Sequence, residues 1–219
     1  MLIFFVQHLY FLAAIYFTIF WMLFFVVIKK GRIEILKMSF AGLILGPLVE
    51  LMHLNDWWRP HFIFNSFIKI EDLLFGFSIA GIASAVYIII QRPETQDKLT
   101  PKVKSVMIFI ALIILFGTFY FWHTSSFLSS ILCFSFSIIL ASVKNSNTLL
   151  SIVFTGFFVL ILATPGYLFG IYINPTWIQQ EWILSKLSGI MLMGIPIEEF
   201  IWFFFAGMGI AAFQEYFLF

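Results

Sequence analysis

Two pairs of adjacent acids stand out in a chain with few charges: Glu71 and Asp72 in "KIEDLLFGF", and Glu198 and Glu199 in "GIPIEEFIWFFFAG". A third acid, Glu50, lies in "GPLVELMH" with His53 three residues on, so the two share a helix face. Carboxyl groups in apolar surroundings can divide acid and base roles, because burial disfavours the charged form and two neighbouring carboxylates resist ionising together. One then delivers a proton while the other receives one. Neighbouring helical positions point about 100° apart, so Glu198 and Glu199 do not aim at one spot. The expected working pair is one acid from each motif, Glu198 with Glu71, supported by Glu199, Asp72 and Glu50. The competing reading makes each pair an N-terminal helix charge solvated at the membrane surface, with Pro196 suiting the helix start. Glu-x-x-His is also half of a di-iron motif, but no second copy exists, and His8, His61 and His123 fall at helix ends or in loops; no metal is expected.

The elements that must carry these acids follow from composition. Hydrophobic residues are 62% of the 219 and charged residues 11%, with a mean hydropathy of +1.05. This predicts an all-α integral membrane protein. The net charge of +1, with no basic stripe, excludes a nucleic-acid partner. Seven apolar runs reach membrane-spanning length: about 9–28, 35–54, 73–90, 106–122, 127–143, 149–168 and 197–217. The first lacks a basic n-region and reads as a retained anchor. Cys133, the single cysteine, lies within a run and reads as packing. Nine Lys and Arg fall in the loops after helices one, three and five (Lys29, Lys30, Arg32, Lys37, Arg92, Lys98, Lys102, Lys104, Lys144), against Arg59, Lys69 and Lys186 on the other side. The positive-inside rule then puts the N-terminus outside the cell membrane, the C-terminus in the cytoplasm and both acid motifs on the outer side.

"IEDLLFGFSIAGIASAVY" from Ile70 aligns without gaps on "IEEFIWFFFAGMGIAAFQ" from Ile197, and a polar, Trp-containing loop precedes each: "HLNDWWRPHFIFNSF" and "YINPTWIQQEWILSK". Four helices separate the copies, so both run the same way, a parallel repeat. The expected layout is one membrane domain over 1–219, with repeat A over about 1–90, helix four within 91–123 and repeat B over about 124–219. The outer-loop tryptophans Trp57, Trp58, Trp177 and Trp182 are expected mainly in an interfacial belt.

Together with the "NPTW" loop, "GIPIEEFIWFFFAG" resembles the lycopene cyclase domain of the heterodimeric bacterial and fused archaeal or fungal type, in which Pro-x-Glu-Glu precedes an aromatic-rich helix. Pro196, Glu198, Glu199, Phe200 and Trp202 carry the resemblance. In the first copy Glu71 and Asp72 match the acids, while Lys69 stands where the family has proline. The resemblance implies two three-helix units, helices one to three and five to seven, joined by helix four. It also implies a non-redox, acid/base cyclisation of the end groups of a linear carotenoid or similar polyene isoprenoid through a carbocation. Catalytic candidates are Glu198, Glu199, Glu71, Asp72 and Glu50; pocket candidates are Pro196, Phe200, Trp202, Phe75, Trp58, Asn174, Trp177 and His53. No cofactor is expected: "GMGIAA" matches a dinucleotide fingerprint in form but lies inside helix seven with no preceding strand, where close packing explains Gly207 and Gly209. Expected partners are the lipid bilayer, an apolar polyene, and a second copy or other carotenoid-pathway membrane proteins.

Two rivals stand beside this reading: a cyclase or isomerase of a different terpenoid, and a non-enzymatic transporter or assembly factor whose acids bind a proton or cation. An enzyme pocket would open sideways to lipid, whereas a transporter needs a polar path across the membrane. Helices four to six have few polar residues to line such a path.

Overall fold

In hydrocarbon the backbone must satisfy its own N–H and C=O groups, so each long apolar run folds as a helix. The computed structural model describes residues 6–64, 66–91, 100–144 and 146–218; Arg92 and Lys98 of the charge count lie outside them. Seven helices are long and apolar enough to span a membrane. They are α1 (Leu9–Val27), α2 (Arg32–Asp56), α3 (Ile70–Ile90), α4 (Pro101–Trp122), α5 (Ser126–Lys144), α6 (Leu149–Ile173) and α7 (Ile197–Leu218). Several run further than hydropathy alone indicates, α4 and α6 the most at one end. Helix α4 takes Lys102 and Lys104 into its first turns behind a Thr100 cap and a Pro101 start. Helix α6 continues through Pro165 to Ile173, as membrane helices do where neighbours satisfy the freed carbonyl. A π segment, Ile113–Gly117, interrupts α4.

The packing has two three-helix groups. In the first, α3 packs against both α1 and α2; in the second, α7 packs against both α5 and α6. The groups meet where α3 contacts α6 and α7. Just over half of the spanning window is buried in α3 and in α7, 56% each, against 11% in α4, so α3 and α7 form the centre and α4 the periphery. Phe17, Ile82, Val86, Val159, Ala163 and Phe203 knit α1, α3, α6 and α7 into one core.

Close approach is bought by glycine: a Cβ at Gly42 of α2 would stand 2.1 Å from the Gly76 carbonyl oxygen of α3. In the second group, a Cβ at Gly207 would stand 2.9 Å from the Gly156 Cα, and one at Gly209 would stand 2.4 Å from Phe134. The "GMGIAA" glycines therefore sit at helix contacts.

The loops before α3 and α7 lie on the same side of the bundle and pair with each other. Trp58 and Trp182 form an antiparallel bridge, flanked by Arg59 N–H donating to the Glu181 carbonyl (2.6 Å) and Ile183 N–H to the Trp57 carbonyl (2.8 Å). A one-turn helix, Trp177–Glu181, precedes this bridge. A two-residue hairpin then pairs Met191 with Pro196 and Leu192 with Ile195. Its turn residues, Met193 and Gly194, both have positive φ, 54° and 80°, as a tight hairpin requires. The hairpin delivers the chain into α7.

The tryptophan belt expected at the headgroups is corrected here. Trp57, Trp177 and Trp182 are buried against Leu9 and Ile178. Their indole N–H groups have carboxylates to bind inside the protein, which outweighs an interfacial position.

Candidate active site

Each acid pair opens its helix, and the helical twist sends its two members different ways. The first member turns toward its own preceding loop. Glu71 accepts from Ile63 N–H at 2.7 Å, and Glu198 from Ser188 N–H at 2.5 Å. Both carboxyls are buried, each with its second oxygen unpartnered, and both lie off the main cavity. The second member turns inward. Asp72 and Glu199 line one cavity of about 310 Å³, joined there by Glu50 and His53 from α2.

Glu199 is the most heavily supported of these acids. Its Oε1 accepts from the indoles of Trp57 and Trp182, each at 2.6 Å, and its Oε2 from the Tyr167 phenol of α6. Three donors on one carboxyl fit an acceptor-only carboxylate. Asp72 receives the Tyr10 phenol of α1 at 3.0 Å. Glu50 is buried with Oε1 unpartnered, its Oε2 3.9 Å from His53 Nδ1, and Trp58 beside it. His53 Nε2 lies 3.4 Å from Ser130 Oγ of α5. The site thus has a donor-rich carboxyl on α7 and a donor-poor pair where α2 meets α3.

Aromatic rings wall the space between them. Trp202 of α7 lies 6.5 Å from Phe75 of α3 and meets Trp57 at a right angle. Phe17 and Phe203 stack at 5.9 Å deeper in. Below the acids the cavity runs between α2, α4, α5 and α7, past Leu45, Ile108, Leu112 and Phe213. Leu45 and Ile108 are each 37% exposed, so the cavity's lining reaches the surface of the bundle at α2 and α4. Leu115, within the π segment, also lines it.

Of the other residues singled out in the sequence, Trp58 and Trp177 line the cavity. Phe200 packs behind Glu199 beside Leu160 and Thr164. Pro196 is buried in the hairpin, and Asn174 caps the turn after α6 by accepting from Thr176 and donating to Gln180. Sequence reasoning missed Tyr10 and Tyr167, the phenols on the two inward acids. Tyr167 sits two residues past Pro165 in "ATPGYLFG"; a polar aromatic beside a helix proline is the available signal.

Outside the membrane spans, Glu181 ties the loops together. It accepts from Trp177 Nε1 at 2.8 Å and pairs with His61 Nδ1 at 3.1 Å. Burial lifts its carboxyl above the ordinary glutamate range, against the opposing pull of those hydrogen bonds.

Residues 125–217 match the family model for lycopene cyclase. No curated protein and no solved structure matches the chain. The matched span takes in α5, α6, the Trp loop, the hairpin and the acid-bearing α7. The similarity to the lycopene cyclase family thus covers residues 125–217 of this membrane-type helical chain.

Proposed function

We propose that the chain is a membrane carotenoid cyclase that closes the end group of a linear polyene, such as lycopene, by proton transfer alone. The observation that supports it most is that three acids from three helices meet in one apolar, aromatic cavity whose lining reaches the surface of the bundle. A hydrocarbon substrate dissolved in the bilayer can enter there without crossing water.

Glu50 and Asp72 line the same cavity with few donors, and two carboxyls sharing one site resist ionising together, so this pair is the proton donor. It protonates the terminal alkene, and the adjacent double bond attacks the resulting cation to close a ring. The π faces of Phe75 and Trp202 stabilise the positive charge. Glu199, whose carboxyl oxygens accept from Trp57, Trp182 and Tyr167, faces the cation and removes a proton from the ring carbon. Substrate and product differ only in connectivity, so no electron donor or acceptor enters.

The test is expression of the chain in cells that accumulate lycopene, followed by pigment analysis. Cyclised product that disappears with Glu199→Gln supports the reading. Unchanged lycopene beside well-folded protein overturns it for this substrate.

A further inference from the structure

We propose that His53 carries the proton from Glu199 back to the Glu50–Asp72 pair after each ring closure, and so governs repeated turnover rather than closure of a single ring. This rests on the cyclase reading above. In that reaction the acid pair gives one proton to the alkene, and Glu199 gains one from the ring carbon. The hydrocarbon arrives and leaves neutral, so it removes no proton. Each closure therefore leaves the site inverted, with the pair deprotonated and Glu199 a neutral acid. The next substrate meets no proton donor until that proton returns.

His53 shares the cavity with both acids, touching Glu50 directly and reaching Glu199 by way of Trp57, while its Nε2 lies 3.4 Å from Ser130 Oγ. Its Nδ1 lies 3.9 Å from Glu50 Oε2. Its ring meets Trp57 edge to face at 4.9 Å, and the same indole holds Glu199 Oε1. Glu50, Glu199 and Asp56 are acidic groups around His53. Asp56 is already engaged by the Ser126 N–H and hydroxyl, at 2.7 and 2.5 Å. Among the described residues His53 is the one imidazole lining the cavity. Tyr10 and Tyr167 are each tied to one acid, Asp72 and Glu199.

A neutral imidazole accepts on one nitrogen while the other carries a proton it can release. Glu199–COOH gives its proton to His53, leaving the carboxylate and an imidazolium. The imidazolium then passes a proton to Glu50, restoring the neutral ring and the protonated pair. Charge and protons balance, and no other reactant is needed.

The experiment compares one turnover with many, using the full chain in lipid vesicles loaded with the linear polyene. With protein in excess, His53→Gln closes about one ring per molecule; with substrate in excess it then stalls, its steady rate down ~10- to 100-fold. Parental turnover in His53→Gln overturns the proposal, and so does loss of the first ring in protein that keeps its helical content and melting temperature. Should His53→Gln not fold, His53→Ala with and without added imidazole makes the same comparison: imidazole restoring the steady rate supports the role, and no restoration overturns it. A parental chain that forms no ring at all defeats the cyclase reading itself, which is seen before any variant is made.

Discussion

At the scale of single residues, two acids adjacent in sequence have different tasks. Glu199 sits in the cavity under three donors, so Glu199→Gln is expected to lower cyclisation at least ~100-fold with little loss of folded protein, measured as product per folded molecule. Glu198 holds a loop, so Glu198→Ala strips the Ser188 N–H of its acceptor. The expected cost is about 1–3 kcal/mol of stability in a detergent melt, with activity per folded molecule kept. Abolished chemistry in a well-folded Glu198→Ala protein would refute that division. Glu181 supplies the pH dependence. Its folded-state carboxyl titrates above its unfolded value, so the stability it contributes is present below the ordinary glutamate range and is lost as pH rises through the raised value. Glu181→Gln should flatten that decline in melts recorded across pH.

At the scale of elements, the α2–α3 contact and the exposed edge of the cavity are the places where small changes travel furthest. Gly76 has the Gly42 carbonyl oxygen 2.4 Å from where a Cβ would stand, so Gly76→Ala must push the helices apart. Its melt should show a loss of ~1–3 kcal/mol or more. That shift reaches the site, since Asp72 lies one turn before Gly76 on α3. Leu45→Trp at that exposed edge should slow conversion of a long polyene while leaving the melt close to parental, read as raised KM. The helices themselves were legible in the chain, because spanning length and hydropathy are properties of one continuous segment. The loop bridge was not: Trp58 and Trp182 meet only because α3 and α7 run side by side.

At the scale of the whole molecule, the two groups form one site between them, with Glu50 and Asp72 from the first and Glu199 from the second. Neither group holds the full set of acids. The charge bias of the loops predicts which way this bundle sits. With Cys133 replaced by alanine, a cysteine at Ser66 should react with an impermeant thiol reagent added outside cells, and one at Lys102 only after the membrane is opened. The reverse pattern would invert the orientation.

Read along the chain, the residues by themselves determined the membrane class, the seven spans, and the placing of an acid pair at the head of the third and the seventh. Each of these depends on composition within some twenty consecutive residues, which hydrophobic transfer and helix geometry convert directly into structure. Only the tertiary structure decided which acid of each pair faces the cavity, that Tyr10 and Tyr167 hold those acids, and that the loop tryptophans turn inward. The rotation of a helix about its axis is set by its neighbours, and the neighbours that matter are remote: Trp57 and Glu199, joined by one hydrogen bond, are 142 residues apart.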